Sequence, residues 1–347
     1  MTATVAPRVS GVVLIRRSRR IRALGLLGAL VVLAAVMVAS VMIGSRDVGL
    51  GDVVAAFGGS ADGFEQAAVV KRIPRTLLAV LAGAALGVSG AVMQGVTRNP
   101  LADPGILGVN MGASLAVVAG LAFFGLASPS LQIWVAIAGA AVTAVFVYTV
   151  GSLGRGGATP LKLALAGAAT SAALVSFISA VVLGRNDIAG TVRSWQIGGV
   201  GGSTFASIEQ VLPFLAIGFV VCLLSARGLN SLALGDDLAA GLGERVAVAR
   251  GSAALGAVVL CGAATAVTGP IAFVGLVVPH ACRLIVGVDH RWLIPFSALA
   301  GAILLTIADV LGRIASRPGE VDVGIVTALI GAPFFIAIVR RQKIRAL

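Results

Sequence analysis

Four places in this 347-residue chain hold residue types whose spacing could do chemistry. Gly87-Val-Ser-Gly90 has the GxSG form of an intramembrane serine nucleophile, which needs a histidine base at the same depth. The chain has only His280 and His290, and the hydropathy pattern puts Ser89 well inside an apolar span and His280 near the end of another. A small-residue packing face is therefore the better reading of this motif. Asp309 and Arg313, four residues apart, read as a mutual helical ion pair at an interface more readily than as a proton relay. Cys222, Cys261 and Cys282 show no CxxC spacing and read as small buried apolar side chains, and two histidines exclude a multi-histidine metal site. The run Gly198-Gly-Val-Gly-Gly202 is not GxGxxG, and none of the three lysines falls in GxxxxGK[ST]. If ATP drives this protein, another chain binds it.

The elements that must position these residues are membrane helices. The chain is 58% hydrophobic and 12% charged, with a mean hydropathy of +1.05, far from a soluble domain. A helical span takes roughly 20 apolar residues. Ten such stretches are read, at about 23–43, 75–96, 106–126, 131–151, 161–183, 208–226, 246–267, 270–287, 292–311 and 322–339. Thr268-Gly-Pro270 leaves so little chain between the seventh and eighth that they must form a hairpin. The expected fold is an all-α polytopic membrane protein: a basic cytoplasmic tail at 1–20, then one transmembrane domain over 21–347. The 46 glycines allow close helix approach. Gly83-Ala-Ala-Leu-Gly-Val and Ser252-Ala-Ala-Leu-Gly-Ala hint at an internal repeat.

Orientation follows from Lys and Arg. With an even number of spans and both termini inside, inner segments carry 18 of the 26 basic residues and only 5 of the 14 acids. The positive-inside rule then predicts cytoplasmic termini. A pI near 11.3 does not signal nucleic-acid binding, because the charge is divided among loops that flank the membrane. The spans hold almost no acids in their cores, which weakens a reading as a proton- or sodium-coupled secondary transporter.

One charged, helix-like piece interrupts the second half at about 234–245. Leu234, Leu238 and Leu242 recur every four residues as an apolar stripe. Asp236 and Asp237 sit where a short helix would begin, which suits its dipole. Gly241 and Gly243 would weaken and then end it. A cytoplasmic amphipathic helix between two spans looks like a handle for another protein.

Five blocks, in order along nearly the whole chain, are similar to the FecCD/BtuC-type permeases of iron-siderophore and vitamin B12 ABC importers. They are Arg72-Ile-Pro-Arg75; Gly90 to Gln94 with Arg98-Asn-Pro-Leu-Ala-Asp-Pro104 and Gly108; Leu234-Gly-Asp-Asp with Ala239 and Leu242-Gly243; Gly269 to His280 with Arg283; and Ala308-Asp309 through Arg313, Glu320, Gly324 and Gly331-Ala-Pro333. The resemblance implies the type II importer arrangement in a bacterial inner membrane: two permeases, identical or paralogous, two ABC ATPases beneath them and an extracytoplasmic substrate-binding protein. No enzyme activity or cofactor is implied for this chain, ATP and magnesium being held by the ATPases. The cargo is expected to be an iron chelate, most simply a ferric siderophore, with vitamin B12 and haem as alternatives.

The resemblance also implies roles. Arg72, Arg75 and Arg313 would receive acids of the binding protein, a task suited to a forked guanidinium, unless they are generic interfacial anchors. A loop carrying Arg185, Asp187, Arg193 and Trp195 would be a second docking surface. Asn99, Pro100 and Leu101 would form the cytoplasmic gate, or else a purely architectural turn. Leu234, Gly235, Asp236, Ala239, Leu242 and Gly243 would couple to the ATPase. Thr170, Ser171 and Ser176 would line the path, or equally hydrogen-bond between helices. Pro74 would sit in the first turn of span two. The family usually has Glu-aliphatic-Pro before span ten, whereas this chain reads Glu320-Val-Asp322, which alters the charge of the docking surface.

Overall fold

The computed structural model describes residues 18–44, 48–49, 51, 63–126, 128–153 and 159–345. Most of the tail expected at 1–20 therefore lies outside the described residues. The regular elements among the described residues are all helical, in the order α1 (Arg19–Met42), α2 (Phe64–Thr97), a 3-10 turn (Pro104–Leu107), α3 (Val109–Phe124), α4 (Pro129–Ser152), α5 (Pro160–Leu183), α6 (Asn186–Ile197), α7 (Phe205–Leu224), α8 (Ala226–Leu232), α9 (Asp236–Gly241), α10 (Val246–Thr268), α11 (Val274–Val286), α12 (His290–Ala315) and α13 (Val323–Arg345). Seven helices are long and apolar enough to cross a membrane; Val109–Phe124, Val274–Val286 and Val323–Ala337 are shorter apolar pieces. All ten expected spans are thus occupied by helices.

The long helix α2 is the axis of the bundle, packed against α12, α10 and α11. Its close contact with α12 depends on missing side chains: a Cβ on Gly83 would overlap the Gly301 carbonyl, and one on Gly87 the Ser297 carbonyl. Gly112 of α3 and Gly139 of α4 meet in the same way. Small residues let backbones approach in lipid, where dispersion drives helix association. The GxSG segment is therefore packing: Ser89 is buried and its Oγ donates to the Leu86 carbonyl of its own helix at 3.0 Å. The three cysteines are free and buried, as expected.

Large apolar side chains cover the outside, among them Leu24 and Val31 of α1, Val142 and Val145 of α4, and Leu165 and Phe177 of α5. Such a surface is at rest in a bilayer and not in water.

Three expectations on boundaries need correction. Helix α2 begins eleven residues before the expected start of span two, so Pro74 lies inside it and not in its first turn. Residues before Pro74 continue the helix outward beyond the apolar stretch that set the boundary. The stretch expected to be a loop between spans five and six forms α6, which buries Ile188 and Val192 against Val118, Ala122 and Ile178. Span eight begins at Val274 and not at 270, because Phe273 has φ 70° and turns the chain before the helix starts.

Candidate functional site

At one end of the bundle, Arg72 and Arg313 converge on the C-terminus of α1, and Arg75 joins them through Asp309. The last carbonyls of a helix have no partner within it. Arg72 Nη1 donates to the carbonyls of Val41 (3.1 Å) and Met42 (3.0 Å), and Arg313 Nη1 to those of Ser40 (2.8 Å) and Ile43 (3.0 Å). Cations suit this negative dipole end. Arg313 Nη2 also donates to Ser40 Oγ (2.7 Å), which lies 2.7 Å from Thr76 Oγ1.

Asp309 holds the same node from within. Its carboxylate accepts Arg75 Nε and Nη2 at 2.8–3.1 Å and lies 3.1 Å from Arg313 Nη2. The expected pair between Asp309 and Arg313 is present, and it is enclosed: both side chains are 1% exposed. Two guanidinium groups on one carboxylate leave net positive charge, which Glu320 reduces through a 2.6 Å bond to Arg75. The three arginines differ in how far they are enclosed. Arg313 is sealed in the bundle with its donors used internally, and Arg72 is buried as well. Of the three, Arg75 is nearest the surface, at 12% exposed.

Beside this node lies a cavity of about 600 Å³ lined by Gly190, Thr191, Ser194, Trp195, residues of the 199–203 loop, Thr268 and Asp322. The glycine-rich loop is tied down: Gly199 N–H donates to the Thr268 carbonyl (2.7 Å) and Gly324 N–H to that of Gly198 (3.0 Å). Asp322, the departure from the usual proline, sets its Oδ1 against Gly199. Arg185 and Asp187, expected at a docking surface, form an exposed pair at 2.7 Å with each other.

At the opposite end, α2 stops at Thr97 and Arg98 takes a left-handed conformation with φ 49°. Asn99 and Pro100 are exposed and Leu101 half-buried. Asn99 Oδ1 accepts the Leu101 N–H (2.9 Å) and its carbonyl accepts that of Ala102 (3.1 Å), a compact turn closed twice. Beyond it the chain runs back into the bundle, burying Ala102 and Leu107. Gly108, with φ +70°, passes Thr143 and Ser171, where a Cβ would sit 3.0 Å from Thr143 Cγ2 and 3.6 Å from Ser171 Oγ. The turn expected to be the gate is thus followed by a few residues of backbone that carry the chain past one expected path residue, Ser171.

The other expected path residues lie on the open side of α5. Thr170 Oγ1 donates to the Ala166 carbonyl (2.7 Å) and Ser176 Oγ to that of Ala172 (3.0 Å), both on their own helix. Ser176 is exposed. The interhelical alternative is therefore not used within this chain at these two positions.

The helix expected at about 234–245 is present as α9, and a second short helix, α8, which was not expected, precedes it. Gly235 (φ 110°) separates them and Gly243 (φ 83°) follows α9, both in backbone that favours glycine. Ala239 is fully buried and anchors α9, whereas Leu234, Leu238 and Leu242 are each more than half exposed. Asn230 fixes α8 to the start of α12: its Oδ1 accepts the His290 N–H (2.9 Å), and its Nδ2 donates to Asp289 (2.7 Å).

Sequence reasoning missed two contacts here. Arg250 of α10 reaches Asp236 at 2.9 Å, fourteen residues away across a helix break, which no periodicity signals. Gln94 Nε2 donates to the Gly275 carbonyl at 3.2 Å. Pro279 has no N–H to offer that carbonyl four residues earlier, so the proline within α11 was the available clue.

The comparisons agree with this layout. Residues 30–341 match the FecCD transport family. The ferric enterobactin transport system permease protein FepD of Escherichia coli (strain K12) is 44% identical over 92% of this chain and 96% of its own. The cobalamin import system permease protein BtuC of Halobacterium salinarum is 40% identical over 80% of this chain and 74% of its own. A solved inward-facing metal-chelate type ABC transporter superposes with a TM-score of 0.80 at 28% identity, covering 92% of this chain and 99% of that one. With five motif blocks, seven helices long and apolar enough to cross a membrane and a family match over residues 30–341, the chain belongs to the FecCD transport family.

Proposed function

We propose that this permease of a metal-chelate type ABC importer moves a ferric siderophore inward by alternating access between paired permeases. The observation that carries the cargo reading is the 44% identity to the ferric enterobactin permease over nearly both full chains. A siderophore permease relative of Bacillus subtilis at 44% adds to it. Relatives named for haem and cobalamin transport, at 39% and 40%, keep those cargoes as the second reading.

Both termini and the α8–α9 handle lie in the cytoplasm by the charge bias, and the arginine node faces outward. The exposed leucines of α9 are the grip of a separate ABC ATPase, Ala239 holding the helix against the bundle. The Asn99–Leu101 turn is the cytoplasmic gate, and α5 presents Thr170, Ser171 and Ser176 to the path between two permeases. At the outer mouth, an acidic residue of the binding protein reaches Arg75 by exchanging with Glu320, which is 39% exposed. Arg72 and Arg313 hold the helix ends that present it.

Growth of a deletion strain on single iron sources tests the cargo. Loss of growth on one ferric siderophore, restored by this gene, is expected. Normal growth on every siderophore with loss on haem or of cobalamin uptake would overturn it.

A further inference from the structure

We infer that Arg98 is the positioning residue that fastens the Asn99–Leu101 turn to the short helix α9, so that turn and helix move as one piece. The inference rests on the reading of α9 as the ATPase contact. Arg98 is the first residue after α2, held in a left-handed conformation that non-glycine residues seldom adopt. Its Nε donates to the Leu232 carbonyl at 2.6 Å, among the last carbonyls of α8, and its Nη2 pairs with Asp236 Oδ1, the first residue of α9. One side chain thus spans the break at Gly235 and holds both halves of the handle.

Asp236 is fixed from the other side by Arg250 Nη2 of α10, at 2.9 and 3.2 Å from its two oxygens. Arg98 adjoins Asn99 directly, and the turn beyond is closed by the two Asn99 hydrogen bonds. Any displacement of α9 therefore reaches the turn through one side chain and one peptide bond. Arg98 and Asp236 are 34% and 48% exposed, and such pairs contribute only ~0–1 kcal/mol to stability. Their geometry is where their effect lies: they connect two elements that are otherwise separate in sequence.

The test uses the complete transporter, with its ATPases and binding protein, in proteoliposomes. The readouts are substrate taken up per ATP hydrolysed and ATPase co-purification, for Arg98→Ala, Asp236→Ala and the double variant. Each single change is expected to lower the uptake ratio about tenfold. The double variant should lose less than the product of the two single losses, because the Arg98–Asp236 pair is common to both, although Arg98 also holds the Leu232 carbonyl and Asp236 also meets Arg250. ATPase co-purification should persist in Arg98→Ala. An unchanged ratio overturns the link while leaving the ATPase contact standing. Losses that multiply fully in the double variant, or loss of co-purification in Arg98→Ala, also overturn it. If the wild-type chain itself retains no ATPase, the reading of α9 falls and this inference falls with it.

Discussion

At the scale of single residues, the outer node is a matter of charge balance in a dry place. Asp309 serves Arg75 and Arg313 at once, and all three lie within the helical bundle. Removing one partner of a buried ion pair costs about 3–5 kcal/mol, because the remaining charge stays buried and unpaired. Asp309→Ala leaves two guanidinium groups facing each other, so a drop in thermal stability of the purified protein is expected; an unchanged melting temperature would contradict this role. At the opposite end of the bundle, burial works to raise the pKa of Asp236, but Arg250 and Arg98 outweigh it and hold the carboxyl below its ordinary value. A depressed folded-state pKa means the contact is present above the usual carboxylate range and is lost only as pH falls through the lower folded value. Isotope-edited infrared spectra should show Asp236 mostly ionised at about pH 4. A predominantly protonated band there would refute the double pairing.

At the scale of elements, the apolar stretches were legible because each span must satisfy its own backbone and present apolar side chains to lipid. Boundaries were less so. Helix α2 extends outward past the hydrophobic run, and α6 has polar residues on its open face, so neither carries a hydropathy signal. The docking role attached to Arg313 came from residue type and motif; its burial is set by Ser40 and Ile43, which are distant in sequence, together with Asp309 one turn back on the same face of its helix. The handle was readable from its leucine stripe and glycines, whereas its tether to Arg98 and Arg250 was not. The contact between α2 and α12 gives a direct test at this scale. Gly83→Val would drive a side chain into the Gly301 carbonyl, and overpacking of this kind costs typically ~1–3 kcal/mol. A lower melting temperature in detergent is expected, and a fully stable variant would show that the helices can separate without loss.

For the whole molecule, the charge asymmetry, the re-entrant turn and the exposed handle form one arrangement. One end is braced by arginines and the other carries the tethered turn and helix. Between them, much of α5 is exposed among the described residues, with small and hydroxyl side chains such as Ser176 interspersed with Leu165 and Phe177. Such a molecule has the parts of one half of a pathway. On the proposed reading, transport is driven by an ATPase on a separate chain that grips α9. Reconstituted with binding protein and ATPases, it should take up chelate only while the partner ATPase hydrolyses ATP, and a proton ionophore should leave that uptake unchanged. Uptake that persists with a catalytically dead ATPase and collapses with the proton gradient would contradict the account.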